Sequence, residues 1–327
     1  MLYGILVATK SGDDAAHVTQ RAAMLVSSLK EATLDIFSVA TPAGTRRIVS
    51  WMRGSGHRSE RTEQERTMRR LGSQSAYLRE QYGIRCTIAS GVGALATQVA
   101  ARVGATAADM VVVGGHDPRW TTPSTGAGEA ARIARMSGRP VLLVRNEPRC
   151  AYARIAVPVD FSDDALRITE TVMRLLPEAH ITFLHSYRVA GQGAMLGAGV
   201  TDQAIDNCRL RAQRQAQAAF STFLGRLGRP LTKFSLVLTG QPEALATRTY
   251  LRTVKPDLVA LADGAGSWLL GWLNDSTSWT VLNDTRCDVL LLAPPQARGL
   301  QEVPQAPATP QRDPVPRRPA ARGFAAS

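Results

Sequence analysis

The segment VPVDFSDDA at residues 157–165 repeats an earlier one, VATKSGDDA at residues 7–15, in the same phase. Each copy concentrates charged side chains, but Asp160 of the later copy stands where the earlier copy has Lys10. A lysine there could attract an anion, and the alternative is an exposed loop lysine without a ligand. One position thus carries opposite charges in the two copies.

Both copies end in a pair of aspartates, Asp13-Asp14 and Asp163-Asp164. Paired carboxylates could bind a metal ion or cap a helix. Aspartates at a helix start accept hydrogen bonds from backbone N–H groups and complement the positive end of the dipole. Because no further acidic or histidine cluster accompanies either pair, we expect a capping role.

The repeat extends over most of the chain. Short runs rich in leucine and β-branched residues alternate with helical patterns, which is typical of βαβ units in a parallel sheet. The predicted strands of the first half are GILVAT, LDIFSVA, RCTIAS, DMVVVG and PVLLVR, and those of the second are RIAVPV, ITFLHSY, FSLVLTG, DLVALA and DVLLLA. Asp109 and Asp257, which open the fourth strands, are 148 residues apart.

The helical pattern after each acidic pair has one apolar face. That face comprises Val18, Ala22, Leu25, Val26 and Leu29 in the first half and Ala165, Ile168, Val172, Leu175 and Leu176 in the second. We therefore predict two doubly wound α/β domains, each with a five-stranded parallel sheet.

The domain boundaries follow from the repeat. We expect domain 1 at residues 1–148, domain 2 at residues 151–295 and a disordered tail at residues 296–327. The tail has six prolines between residues 304 and 319 and no periodicity. Because the segment joining the halves is short, we expect the halves to pack directly against each other.

The distribution of apolar residues and cysteines argues against membrane-spanning, secreted and zinc-binding proteins. No run approaches the roughly 20 apolar residues that cross a bilayer, and the start of the chain lacks the pattern of a signal peptide. Four dispersed cysteines without a C-x-x-C pair indicate reduced thiols in a cytoplasmic protein rather than a zinc site.

The net charge of +12 raises the alternative of nucleic-acid binding. Residues 46–70 carry eight arginines against three acids, and the tail carries five against two. Aromatic residues do not alternate with these arginines as they would on a base-stacking surface. We therefore expect a solvated helix face and a charged tail, and no nucleic-acid binding.

A ligand site in an open α/β sheet lies outside the carboxyl ends of the strands, where the direction of winding reverses. If strand 1 is central and strand 4 lies beside it, the floor of this crevice is the end of strand 1 and the loop after strand 4. The two halves differ from each other at the first of these places, where Lys10 and Asp160 lie.

The paired blocks resemble the universal stress protein family in tandem form. The resemblance rests on the opening IAVPVDFSDDA, the strands DMVVVG and DLVALA, and the closing strands RPVLLV and CDVLLL. It covers residues 1 to about 295 and implies pairing of the two domains through their last strands. It also implies a family of ATP-binding and non-binding members, in which binders have an aspartate after strand 1 and a G-x2-G-x9-G-[ST] loop after strand 4.

The first half matches this loop only in part. Gly114 opens it correctly, Asp117 occupies the second glycine position, and Gly126 and Gly128 flank the third. An aspartate there would repel a phosphate. The resemblance therefore implies a degraded crevice in domain 1, with Lys10 in place of the nucleoside-binding carboxylate.

The second half retains Asp160 and the closing Ser276. Gly264 and Gly266 are displaced from the expected positions, which Ala262 and Ala265 occupy, and Asp275 precedes the serine. A Cβ where the backbone must approach phosphate is a steric obstacle. We treat Asp160, Gly264, Gly266 and Ser276 as a tentative nucleotide crevice in domain 2.

Two further features have structural and functional interpretations. His185, at the end of the second strand of domain 2, is expected to be a core or rim residue, because no nucleophile accompanies it. The segment WLLGWL at residues 268–273, with Trp279, either packs on the sheet or forms an apolar surface for a partner or ligand.

The family resemblance, with both crevices degraded, implies a non-enzymatic stress-response or regulatory module without a cofactor. It would act through intramolecular domain pairing and through contacts with a regulatory protein partner, and a homodimer is an open alternative. The competing hypothesis is an ATP-binding switch that uses domain 2.

Overall fold

The chain is described here from a computed structural model. The described residues are 3–10, 15–29, 31–40, 56–115, 124–187, 189, 191, 195, 197–228, 233–262 and 287–292. The predicted tail, residues 296–327, lies outside them.

The first half alternates strands and helices. Its strands are β1 (Tyr3–Lys10), β2 (Ala32–Ala40), β3 (Cys86–Val92), β4 (Met110–Gly114) and β5 (Val141–Val144). Its helices are α1 (Ala15–Ser28), α2 (Gly56–Tyr82), α3 (Leu95–Thr106) and α4 (Ser124–Ser137).

The second half has the same order of strands. These are β6 (Arg154–Pro158), β7 (His180–Ser186), β8 (Phe234–Thr239), β9 (Leu258–Ala262) and β10 (Asp288–Leu292). Its helices within the described residues are α5 (Asp163–Leu175), α6 (Asp202–Arg226) and α7 (Glu243–Val254). All ten predicted strands are confirmed, with ends that differ by at most two residues.

One sheet of ten strands joins the two halves, in the order β3-β2-β1-β4-β5-β10-β9-β6-β7-β8. The strands of each half are parallel to one another. β5 and β10 are antiparallel, with Leu142 opposite Leu290, and this is the last-strand pairing that the family resemblance implies. The backbone hydrogen bonds of the sheet thus continue across the junction.

Helices cover both faces of this sheet because the strands are apolar on both sides. In β1, Ile5 and Val7 face α1 and α2, whereas Leu6 and Ala8 face α3 and α4. The predicted apolar faces of α1 and α5 are buried in the first of these cores. The doubly wound α/β fold is therefore confirmed.

The repeated aspartates at the starts of β4 and β9 have a structural role. Asp109 Oδ2 accepts a hydrogen bond from the backbone N–H of Gly4 at 2.9 Å. In the second half, Asp257 Oδ2 accepts from the N–H groups of Ala153 at 2.9 Å and Arg154 at 2.8 Å. Each carboxylate thus joins the start of the fourth strand of its half to the start of the first.

Candidate functional site

Asp160 lies directly after β6, at the carboxyl edge of the sheet, and is half-buried. Its Oδ1 atom accepts hydrogen bonds from the Ser162 hydroxyl at 2.6 Å and from the Ser162 backbone N–H at 3.1 Å. Within the described residues, no hydrogen bond reaches Oδ2. One side of the carboxylate therefore organises the local turn, and the other side has room for a further donor.

Phe161, the next residue, adopts a backbone conformation that aromatic residues rarely take. Its φ is 63°, in the left-handed region. The ring stacks on His185 at a centroid distance of 4.3 Å and lies 5.7 Å from Phe223 of α6. Aromatic packing on one side of the turn thus holds a conformation that would be unfavourable by itself.

His185 serves this packing through its ring and its Nδ1 atom. Nδ1 lies 2.8 Å from the carbonyl oxygen of Val159, so that nitrogen carries the proton and donates. The imidazole thereby joins the ends of β6 and β7. This geometry agrees with the interpretation of His185 as a rim residue.

The acidic pair of the second half does not cap its helix as expected. The N-cap is Ser162, whose hydroxyl accepts a hydrogen bond from Ala165 N at 3.3 Å. Asp163 and Asp164 already have helical positions, and their carboxylates pair with Arg226 and Arg167. Their contribution is charge at the positive end of α5. Asp13 and Asp14 lie outside the described residues.

In the first half, Lys10 is the last residue of β1 and lies beside Val39 of β2. Gly114 ends the adjacent β4, and an added Cβ would lie 3.0 Å from Val18 Cγ2 of α1. Close helix packing thus accounts for Gly114 without any phosphate. Gly126 and Gly128 are the third and fifth residues of α4.

Much of both predicted phosphate loops falls outside the described residues. This applies to Gly264, Gly266 and Ser276 of the second half, to Asp117 of the first, and to the tryptophan-rich segment 268–273 with Trp279. The second-half crevice therefore remains a prediction, of which Asp160 alone has a described environment.

A second group of charged residues, which the sequence analysis missed, lies at the junction of the halves. Asp288, the first residue of β10, is 1% exposed. Its Oδ1 atom accepts the backbone N–H groups of Arg145 at 2.8 Å and Asn146 at 3.1 Å, beyond the end of β5. Its Oδ2 atom accepts the Tyr152 hydroxyl at 2.5 Å. This carboxylate connects both halves and the segment between them.

Arg21 of α1 supplies the opposite charge. Its Nε lies 3.7 Å from Asp288 Oδ2, one Nη atom donates to the Cys150 carbonyl at 2.8 Å, and its guanidinium lies 4.1 Å from the centre of the Tyr152 ring. Arg21 is 6% exposed. We call Arg21, Tyr152 and Asp288 the junction cluster.

The environment of the junction cluster changes proton affinities. Burial, helped by the negative charge of Asp288, raises the pKa of Tyr152 well above its ordinary value, and Arg21 acts in the opposite direction. Burial also lowers the pKa of the neighbouring Arg145, which Cys287 and Asp288 partly offset. The tyrosine hydroxyl is therefore held in its neutral, hydrogen-donating form.

Two sequence signals could have revealed this cluster. Asp288 opens a buried strand at the position where the first half has Pro140, and Arg21 interrupts the apolar face formed by Val18 and Ala22. A charge within a buried pattern indicates a partner, because an unpaired buried charge is costly.

The remaining predicted features have simpler environments. The four cysteines form no disulfide, and the described part of the chain contains no group of three metal-ligating side chains. None of the described helices is long and apolar enough to cross a membrane. Arg66, Arg69 and Arg70 of the basic segment lie exposed on α2.

Comparison with known proteins identifies the fold of the chain and the family of its second half. A model of the universal stress protein family matches residues 151–293. A protein of Pseudomonas aeruginosa UCBPP-PA14, described as a universal stress protein, superposes with a TM-score of 0.58 at 13% identity, over 89% of this chain and 93% of that one. A universal stress protein from Archaeoglobus fulgidus DSM 4304 gives 0.52 at 12% identity, over 89% and 96%.

No curated protein matches the chain in sequence. The two structural likenesses extend across both halves and show that the fold recurs in other proteins. The second half of this chain is therefore a domain of the universal stress protein family, and the first half, joined to it in one sheet, has the same fold.

Proposed function

We propose that this chain is a non-catalytic universal stress protein that acts as a regulatory module. The observation that carries the proposal is the junction: β5 and β10 share backbone hydrogen bonds, and the buried Asp288 joins both halves to the segment between them. Such a joint presents two domains to a partner in one fixed arrangement. Its function would lie in contacts with a regulatory protein.

The described side chains favour binding over catalysis. The ring of His185 is stacked on Phe161, and its Nδ1 atom bonds to a carbonyl, so its position is set by packing. A general base needs a reacting group within hydrogen-bond reach, and neighbouring Asp160 bonds to Ser162 instead. We place the module in the cytoplasm, because its four cysteines form no disulfide.

A genetic test compares a variant of Asp160 with a variant of the junction residue Asp288. In cells whose stress tolerance depends on this chain, Asp160→Asn should restore tolerance as fully as the wild type. Asp288→Ala, which weakens the junction, should restore it poorly at equal protein level. Full rescue by D288A together with failure of D160N would contradict the module and favour a ligand switch.

The competing function is an adenine-nucleotide switch in the second half, with Asp160, Gly264, Gly266 and Ser276 as contacts. It is favoured by one observation: Oδ2 of Asp160 accepts no hydrogen bond among the described residues, while Oδ1 is held by Ser162. That oxygen could accept a donor from a nucleoside.

Thermal unfolding with increasing ATP separates the two functions. If the chain is a regulatory module that binds no nucleotide, its melting temperature should not change with ATP concentration, because only a ligand that binds the folded state raises it. A rise that D160N abolishes, and that the exposed control Asp163→Asn retains, would establish the switch. The same titration with GTP tests whether any response depends on the base.

A further inference from the structure

A cleft of 730 Å³ opens beside the junction cluster. Residues 146–152, which lead from β5 to β6, form one wall, and residues 251–257, from the end of α7 to the start of β9, form the other. Cleft volumes of about 300–1,000 Å³ are typical of sites for small molecules. This cleft is therefore large enough to hold a metabolite.

The floor of the cleft is buried and polar. Asp288 and Tyr152 are 1% and 5% exposed, and they are joined by the hydrogen bond between the carboxylate and the hydroxyl. Arg21 also lines the cleft, and its buried Nε atom has no hydrogen-bond partner among the described residues. This Nε atom lies 3.7 Å from Asp288 Oδ2, within ion-pair but beyond hydrogen-bond distance, so the buried donor could bind a closer acceptor from a ligand.

The walls carry an excess of positive charge. Arg149, Arg252 and Lys255 line the cleft, are exposed, and form no ion pair among the described residues. The acids are largely compensated: Asp257 lies 3.6 Å from Arg154 and accepts two backbone N–H groups, and Asp288 is paired with Arg21. Over all the lining residues, four cations, including Arg21, oppose three acids, which leaves a net charge of +1.

We propose that this cleft binds a small polyanion that carries phosphate or carboxylate groups. Guanidinium groups match the geometry of both groups with two parallel hydrogen bonds, and Lys255 adds a point charge. The apolar side chains of Leu251 and Pro256 would contact the carbon skeleton of the ligand. The ligand would touch both halves and the segment between them, so binding would stabilise the pairing.

This cleft is distinct from the predicted nucleotide crevice. Its second-half residues Tyr152, Asp257 and Asp288 lie at the amino ends of β6, β9 and β10, whereas Asp160 follows the carboxyl end of β6. The two sites therefore lie at opposite edges of the second half of the sheet. A ligand of one does not occupy the other.

The test is calorimetric titration of the full chain with pyrophosphate and, separately, with citrate, at an ionic strength held constant with NaCl. The wild type should bind at least one of them saturably, and comparing the two identifies phosphate or carboxylate as the preferred group. Arg252→Gln combined with Lys255→Gln should weaken that binding at least about tenfold, because two charge-assisted contacts are lost. Arg149→Gln should weaken it to a smaller extent.

The matched control is Arg211→Gln with Arg214→Gln, which removes the same charge from exposed positions of α6. It should keep the wild-type affinity within about twofold, because neither arginine lines the cleft and salt screens exposed charges that make no contact with the ligand. Absence of saturation up to about 10 mM anion, or an equal loss in both double variants, would overturn the proposal. D160N should leave anion binding unchanged, which separates this test from the nucleotide titration.

Discussion

Asp288, the first residue of β10, accepts the backbone N–H of Arg145 at 2.8 Å, just beyond the end of β5. A side chain of the second half thus terminates the last strand of the first half. Because Asp288 is also paired with Arg21 and Tyr152, its loss would leave a buried guanidinium and a buried hydroxyl without their partner.

We predict that Asp288→Ala lowers the free energy of unfolding by about 3–5 kcal/mol, measured by urea denaturation. Combining it with Arg21→Met should cost less than the sum of the two single changes, since each variant alone leaves a buried charge. The exposed Glu80→Ala, on α2, serves as the control and should change stability by less than about 0.5 kcal/mol. Strict additivity of D288A and R21M would show that the two charges do not interact.

Tyr152 should make stability depend on alkaline pH. In the unfolded chain its hydroxyl ionises near pH 10, whereas in the folded chain its pKa is raised by burial and by Asp288. In the folded state the Tyr152 hydroxyl therefore stays protonated to a higher pH than in the unfolded chain. The contribution of the neutral Tyr152 hydroxyl to the free energy of unfolding is complete below about pH 10. It is lost as the pH rises through the pKa of Tyr152 in the folded state.

Urea denaturation at several pH values between about 8 and 11 measures this effect. Tyr152→Phe should be less stable than the wild type at pH 8, by about 1–3 kcal/mol, because Asp288 loses a buried donor. The difference should shrink as the pH rises. Tyr77→Phe, at a position 53% exposed, should follow the wild-type curve throughout. A constant difference for Y152F would contradict the raised pKa.

The two equivalent strand-joining aspartates should differ in their contributions. Asp257→Ala removes an acceptor of two backbone N–H groups, whereas Asp109→Ala removes an acceptor of one. Urea denaturation should show a loss of about 2 kcal/mol for D257A and about 1 kcal/mol for D109A. The exposed Asp206→Ala controls for loss of a surface carboxylate. An equal or larger effect of D109A would show that these hydrogen bonds are not the cause.

Two residues with left-handed backbone should respond to glycine in opposite ways. Ala107 has φ of 51° and is exposed, so Ala107→Gly should raise the free energy of unfolding by about 0.5 kcal/mol. Phe161→Gly relieves the same backbone strain but deletes the ring that packs on His185, and it should lower stability by about 2 kcal/mol.

The matched control for A107G is Ala105→Gly, two residues earlier within α3. A105G should destabilise the protein by up to about 1 kcal/mol, because glycine is unfavourable inside a helix. Thermal and urea unfolding of the three variants separate backbone strain from side-chain packing. Stabilisation by F161G would mean that the strain outweighs the aromatic contacts.

The sequence by itself determined the strands, the two apolar helix faces and their repetition, because burial on both sides of a parallel sheet demands local apolar patterns such as DLVALA. It also indicated the position of Asp160 at a strand end. The helix cap was assigned wrongly to Asp163-Asp164, since a serine one residue earlier reaches the same N–H groups and leaves both carboxylates for arginines.

Only the tertiary structure decided which charged residues meet. Arg21 and Asp288 are 267 positions apart in the numbering, and nothing in either local pattern specifies the other. They meet because the antiparallel pairing of β5 and β10 brings the start of the last strand beside α1 and the segment between the halves. Long-range contacts of this kind depend on the closure of the whole sheet, which local periodicity does not record.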